Sequence, residues 1–430
     1  MTTDLIETSG VSEAGQAGNT VAATADASYG ALFGVRGFPQ LAAGTVLART
    51  AGTLWQVALV LFVLQRFHSP ELAGVTAFLS VAPGLAVSPI AGALLDRQGR
   101  LRMILVDYAV AAVSLVVLFA LTATNHLAPA TLLPLVAVSS LTGPLSSSGI
   151  RTLFPRAVPR TLWDRANGVD SGSQALATVL GPALAGLLLA AIGGAGTFLA
   201  TAGLYVVSGV VLIGLHDPPP ERGTQPEVAL GRSAWQALVF VLRHPTLRGI
   251  MFSLSTSNLG FGLLTVALPV LVFSHFHWGT AAVGELWSLS GLITVGAGIL
   301  AGRVSTEGRE RRMVAFGMGV LAAACSVLLL ASVAAALLGT VVLIAAMVLI
   351  GAGSAPLDVG LFALRQRRTD PAWFGRAVAV SMSLNFAGQP IGSALAGPIV
   401  QRSVPLALAV AAILSLLGCV VTYLAIPKAG

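Results

Sequence analysis

Twelve mainly apolar stretches, each near the length that crosses a bilayer and separated by short arginine-bearing loops, constrain this chain more than any motif in it. A spanning helix needs about 20 such residues. The runs lie near 40–66, 72–95, 103–124, 131–150, 169–192 and 197–215, then near 249–273, 280–301, 313–334, 339–362, 377–399 and 405–426. Glycine and proline interrupt several of them, which a membrane bundle tolerates where neighbouring helices satisfy the backbone. Apolar residues make up 55% and charged residues 10%, against roughly 25% charged in soluble domains. So few charges cannot coat a soluble surface. We therefore expect an all-α membrane protein of twelve transmembrane helices.

The basic residues orient it. Arg36, Arg97, Arg100, Arg102, Arg151, Arg156, Arg160 and Arg165 fall on one side of the first six spans. Arg222, Arg232, Arg243, Arg248, Arg303, Arg309, Arg311, Arg312, Arg365, Arg367, Arg368, Arg376 and Lys428 fall on the same side of the rest. Only Arg66 and Arg402 lie opposite, and Arg49 falls within a span. By the positive-inside rule the rich side is cytoplasmic. Both termini are then cytoplasmic, in a multi-pass plasma-membrane protein. The net charge of +7 is spread over these loops, not gathered in a patch, so no nucleic-acid partner is expected. Residues 1–36 lack the basic start and apolar core of a signal peptide and read as a disordered cytoplasmic tail.

Part of the chain repeats at an offset of 211 residues. Leu180-Gly181-Pro182-Ala183-Leu184-Ala185-Gly186 returns as Ile391-Gly392-Ser393-Ala394-Leu395-Ala396-Gly397, and Arg165-Ala166 as Arg376-Ala377. The expected organisation is two pseudo-symmetric six-helix bundles, 37–215 and 248–426, with a short tail at 427–430. They are joined by a cytoplasmic linker, 216–247. Parallel repeats of this kind enclose a central cavity in one large transporter class. In the linker Trp235, Leu238, Val239 and Leu242, flanked by Arg232 and Arg243, have amphipathic helical spacing. They suit either a helix on the membrane surface or a solvated linker helix.

Between the second and third spans stands Gly92-Ala93-Leu94-Leu95-Asp96-Arg97-Gln98-Gly99-Arg100-Leu101-Arg102, preceded by Gly84. It resembles the signature loop of the major facilitator superfamily. Gly181-Pro182 with Gly186 resembles the helix 5 motif of that superfamily's antiporters, although Ala185 stands where a second glycine is usual. The likeness covers roughly 37–426. Gly84 and Gly92 share a helix face and would admit a neighbouring helix closely. Asp96, at a helix end, could cap another helix's positive amino terminus. The resemblance implies helix 11, near residues 371–377. A degenerate second copy at Gly298–Arg303 would bring Arg303 near Asp164 or Asp170. Such contacts would latch the halves on the inner side.

The resemblance also implies a cavity lined by helices 1, 4, 7 and 10. Thr45, Arg49, Thr53 and Gln56 share a face of helix 1, and Ser255, Asn258 and Thr265 one of helix 7. Helix 4 carries Ser139, Ser140, Ser146 and Ser147. Asp170, Gln174 and Thr178 of helix 5 are mirrored by Ser381, Asn385 and Gln389 of helix 11. Each stripe suits either a polar cavity wall or hydrogen bonding between helices. A charge at the depth of Arg49 costs at least ~2.5–3.5 kcal/mol on insertion scales, so it needs water or a partner. Arg49 is either a ligand for substrate or counter-ion or half of a structural ion pair. Asp358 is its expected partner, Glu285 a further carboxylate of interest. Asp107 and Asp170 are expected to pair with loop arginines.

Lys428 is the sole lysine, which removes a Walker A site. No His-Glu-x-x-His or Gly-x-Ser-x-Gly sequence occurs, and Cys325 and Cys419 have no neighbours at ligand spacing. No enzyme activity, cofactor or metal is expected. The expected function is secondary active transport, with proton-coupled export of small amphipathic compounds such as drugs or secondary metabolites. The expected partners are that solute, protons and lipid, and the expected state is a monomer. A proton-coupled uptake symporter and a non-transporting membrane sensor are the alternatives.

Overall fold

The structure is a computed structural model describing residues 28–215, 217, 230–303, 306–369 and 374–427. Helix α1 (Tyr29–Gly34) leads into α2 (Phe38–Phe67). Then come α3 (Pro70–Leu79), α4 (Ala82–Gln98), α5 (Arg100–Ala123), α6 (Pro129–Ser140), α7 (Gly143–Arg156) and α8 (Trp163–Leu212). The linker holds α9 (Leu230–Arg243). The remainder is α10 (Pro245–Ser274), α11 (Thr280–Ala301), α12 (Glu310–Ala331), α13 (Ala336–Arg368), α14 (Phe374–Phe386), α15 (Gly388–Arg402) and α16 (Val404–Ala425). Among the described residues ten helical segments are long and apolar enough to cross a membrane.

Local chemistry explains where helices break. Proline has no N–H to give and clashes with the preceding turn. Accordingly α4, α7 and α15 begin at or just before Pro83, Pro144 and Pro390, each dividing what the sequence reads as one span. The 50 residues of α8 would reach about 75 Å as one rod, far beyond a hydrocarbon layer of about 30 Å. It turns at Gly193, whose φ of 68° and ψ of −178° suit a residue without Cβ.

Contacts give the direction of each arm. Arg49 meets Asp170, Thr53 meets Ala177, and Phe62 lies against Gly194, so the first arm of α8 runs parallel to α2. Phe198 then packs on Phe62, and the Ser208 hydroxyl donates to the Gly44 carbonyl at 2.7 Å, so the second arm returns antiparallel. The other half has the same plan. Ser255 donates to Leu384 and Gly262 abuts Gln389, while Ser253 donates to Gly418 at 2.7 Å. Thus α10 is flanked by parallel α14 and α15 and antiparallel α16.

The apolar core divides along the molecule. One continuous cluster joins the halves, with Leu61, Phe62 and Leu189 on one side and Leu268, Val272 and Leu286 on the other. Two glycine seams reinforce this end. A Cβ on Gly186 would stand 2.5 Å from the Thr280 carbonyl oxygen, and one on Gly284 2.3 Å from that of Pro182. Gly397 abuts Glu71 likewise. Towards the arginine-rich loops the core splits into separate clusters. Phe38, Leu41, Phe154 and Leu212 belong to the first half; Ile250, Met318, Leu364 and Ile426 belong to the second.

The expected tail ends sooner than residue 36. Ser28 caps α1, and Leu32 is fully buried against the Phe38 cluster. Residues 1–27 and 428–430 lie outside the described residues. In α9 the side that packs carries Phe240 and Val241, against Leu247, Val380 and Leu384. On the expected apolar face Leu238 and Val239 are half-buried and Trp235 is 64% exposed.

Candidate functional site

Where the core splits, a cavity of about 1170 Å³ opens between the halves. Its wall is Arg49, Thr53 and Gln56 of α2, Asp107 and Tyr108 of α5, Ser139 and Ser140 of α6, and Ser146, Ser147 and Ser148 of α7. Gln174 and Tyr205 of α8, Ser383 and Phe386 of α14, and Trp235 and Leu238 of α9 complete it. Gly92 and Arg151 also border it, which sets its mouth at the arginine-rich end. A second chamber of about 390 Å³ shares Thr53, Gln56 and Ser80 with the first. It is bounded by Phe261, Thr265, Trp287, Ser354, Asp358 and Gln389. Thr178, Pro182 and Gly291 close it next to the glycine seam.

Arg49 is held by its own half. Its guanidinium lies 2.6 Å from Asp170 Oδ1, donates to the Asp170 carbonyl at 2.5 Å and donates to the Ser173 hydroxyl. The expected Asp358 partnership is therefore wrong, as is that of Asp170 with a loop arginine. The parallel course of α2 and α8 sets Asp170 opposite Arg49, whereas Asp358 lies in the second chamber. An ion pair with hydrogen-bonded oxygens offsets much of the desolvation of both charges. Asp107 is buried in the cavity wall, facing Ser146 and Thr142.

The remaining expected ligands separate into two groups. Gln56, Gln174 and Gln389 border the chambers, as does Thr53, whose hydroxyl also donates to the Ala177 carbonyl at 2.8 Å. Asn258 and Asn385 do not reach either chamber. Asn258 Nδ2 donates to the Asn385 carbonyl at 2.8 Å, and the Asn385 side chain is buried between α10 and α14. The polarity of Asn258 serves helix contact, whereas neither polar atom of the Asn385 side chain has a hydrogen-bond partner among the described residues. Thr45 is likewise fully buried, off the cavity.

In the signature loop Gly84 makes the close approach its spacing suggests, since a Cβ there would meet the Ser140 carbonyl at 2.3 Å. Gly92 does not. Nothing lies within 4 Å of its Cβ position, because it borders the open cavity. Gly99 has a φ of 90°, a backbone that favours glycine. Arg100 is buried, its Nε donating to Thr152 at 3.1 Å, and Arg97 is exposed. Arg303 is exposed and makes no ion pair with Asp164 or Asp170 among the described residues; the halves are apart at that end. The Asp96 side chain and the side chains of 371–379 lie outside the described residues, and with them the expected Asp96 contact.

One residue escaped the sequence reading. Asp217 Oδ2 accepts the Leu101 N–H at 2.9 Å, so a linker carboxylate caps the amino end of α5. In helix 5, Gly181 brings α8 against Thr53 and Gly186 joins the seam. Pro182, lying between them, turns its carbonyl towards Gly284.

Known proteins share this architecture. A family model described as Major Facilitator Superfamily matches residues 41–342. An uncharacterized MFS-type transporter, y4rN of Sinorhizobium fredii, is 36% identical over 403 residues, covering 93% of this chain and 97% of the relative. The multidrug efflux pump Tap of Mycobacterium tuberculosis is 29% identical over 378 residues, covering 84% and 86%. The crystal structure of a nucleoside transporter, NupG, superposes with a TM-score of 0.73 at 13% identity, covering 90% of this chain and 99% of that one.

Proposed function

Because the chain belongs to the major facilitator superfamily, we propose that it exports small amphipathic compounds by alternating access, driven by protons. In this reading it is a monomer of twelve crossings in the plasma membrane. Its bundles are 37–215 and 248–426, and its arginine-rich end and termini are cytoplasmic. The observation that carries the reading is the divided core. The halves share one core and two glycine seams at one end, and part around a polar cavity at the other. A rocking motion that exchanges those conditions would carry a solute across. The efflux activity in the name of the Tap relative supports the outward direction.

The charges suggest how coupling works. Arg49 and Asp170 neutralise each other at the cavity wall and hold α2 on α8. Asp358 borders the inner chamber, and in this reading it is the carboxylate that takes up a proton. A membrane potential supplies about 2.3 kcal/mol per charge per 100 mV, enough for about a fiftyfold solute gradient. The test is dye retention and drug susceptibility in cells making wild type, Arg49→Ala or Asp358→Asn, with and without an uncoupler. Wild type should lower retention, and the uncoupler and both substitutions should abolish the effect. Retention that ignores both the uncoupler and Asp358→Asn would overturn the proton-coupled reading.

A further inference from the structure

The larger cavity has two unlike walls. Its polar groups come almost wholly from the first half, among them Gln56 of α2, Ser139 and Ser140 of α6, Ser147 of α7 and Gln174 of α8. The Ser140 hydroxyl donates to the Ala137 carbonyl of its own helix at 2.8 Å, which leaves its lone pairs to accept from a solute. The formal charges on this wall cancel among the described residues, Arg49 and Arg151 against Asp107 and the Asp170 that pairs with Arg49. Nothing there selects for net charge.

The facing wall is apolar. Val380, Met382, Leu384 and Phe386 of α14 form part of it, and Ser383 is the one polar residue of the second half there among the described residues. The rest comes from neither half but from the linker, whose Trp235 and Leu238 border the cavity. Three residues apart, these two share a face of α9. Phe240 and Val241 anchor that helix on Leu247, Val380 and Leu384, and α9 also touches α4 of the first half. The linker helix thus straddles the mouth, its indole 64% exposed and bordering the cavity. A helix lying on the bilayer surface would turn that ring to lipid instead.

From this juxtaposition we propose that α9 is part of the solute site, Trp235 and Leu238 holding the solute's apolar body while the first half binds its hydrogen-bonding head. This rests on the transport reading and deepens it. The linker becomes a specificity element, and the solute class is one that joins a hydroxyl- or amide-bearing head to a flat aromatic body. A head turned towards α14 and α9 would give up hydrogen bonds to water without replacing them. A body turned towards the serines would strip water from their hydroxyls at the same kind of cost. One orientation avoids both. The cavity, at about 1170 Å³, exceeds the roughly 300–1,000 Å³ of a drug-sized site, which leaves room for water at the head.

Binding to the purified full chain in lipid nanodiscs, with empty nanodiscs as the blank, separates the two readings because it requires no transport. The probes are naphthyl β-D-glucoside and methyl β-D-glucoside, uncharged solutes that share one head and differ in the body. Wild type should bind the naphthyl probe saturably and at least about tenfold more tightly than the methyl probe. Trp235→Ala should weaken the naphthyl probe about tenfold and leave the methyl probe within about twofold, and Trp235→Phe should restore most of the loss. No saturable naphthyl binding, or equal binding of the two probes by wild type, overturns the proposal. So does a Trp235→Ala variant that weakens both probes alike or leaves the naphthyl affinity within about twofold. A spin label decides without any substitution by alanine. Placed on Trp235→Cys, with Cys325 and Cys419 replaced, it should be relaxed more by a water-soluble nickel chelate than by oxygen, and the naphthyl probe should shield it. The reverse order, as in lipid, overturns the proposal. Trp235-dependent binding by a chain that moves nothing in proteoliposomes would defeat the transport reading alone. Proton-driven dye export that Trp235→Ala leaves unchanged would defeat this inference alone.

Discussion

Gly74 of α3 stands so close to Ser393 of α15 that a Cβ added to it would lie 2.3 Å from the Ser393 carbonyl oxygen. The obstacle is backbone, which cannot rotate aside as a side-chain tip can. With Gly186 against Thr280, this is where the two halves touch most closely. A larger side chain at either glycine acts as a wedge, since overpacking of this kind costs about 1–3 kcal/mol.

The cost falls on one state of the cycle. Gly74→Val or Gly186→Val should shift the protein towards a form open at the arginine-poor end, by about tenfold or more for each 1.4 kcal/mol. Ser80 borders both chambers, so Ser80→Cys reports the change in a background with Cys325 and Cys419 replaced. Its modification by an impermeant thiol reagent applied from the arginine-poor side should quicken in the wedge variants. An unchanged labelling rate would show that the seam does not gate access.

The Arg49–Asp170 pair predicts a non-additive stability change. Its side chains are 11% and 20% exposed, so removing one partner strands the other in a poorly solvated wall. Arg49→Gln or Asp170→Asn alone should destabilise by about 2–4 kcal/mol, and the double variant by less than the sum. Thermal unfolding in detergent measures the cycle. Strict additivity would mean that the two groups do not interact in solution.

Much of this architecture was legible in the chain because lipid imposes length and charge rules on it. The apolar runs foretold α2, α5, α10, α11, α12 and α16 closely. The site was less legible. A polar stripe looks the same whether it faces water or a neighbouring helix, which is why Asn258 reads as a ligand while its side chain joins α10 to the Asn385 carbonyl of α14. Arg49 announced itself by its depth. Its partner depended on which helices run side by side, and no local pattern encodes that.

Asp217 was hidden for a similar reason, being far in sequence from the helix it caps. Its carboxylate holds the Leu101 N–H at 2.9 Å and faces the positive end of α5. Asp217→Ala should cost about 1 kcal/mol and speed amide exchange in the first turn of α5 by about fivefold. Asp217→Asn, which keeps an accepting oxygen, should lose less. Equal exchange rates in all three proteins would remove the cap from the account.

A pH effect should arise where the linker meets α10. The His244 Nδ1 accepts the Leu247 N–H at 3.4 Å, as the amino cap of α10, and only an unprotonated nitrogen can accept. Partial burial, and secondarily the charge of Arg368, lower the pKa of His244 below its ordinary 6.5. In the unfolded chain the ring takes up a proton more readily than in the folded one. The stability it contributes is therefore complete above pH 6.5 and is lost as pH falls through the lower folded value. Amide exchange at Leu247, corrected for intrinsic rate, should accelerate across that window. His244→Asn supplies an acceptor that does not titrate, so the acceleration should vanish there. Its persistence in the asparagine variant would assign the transition to another group.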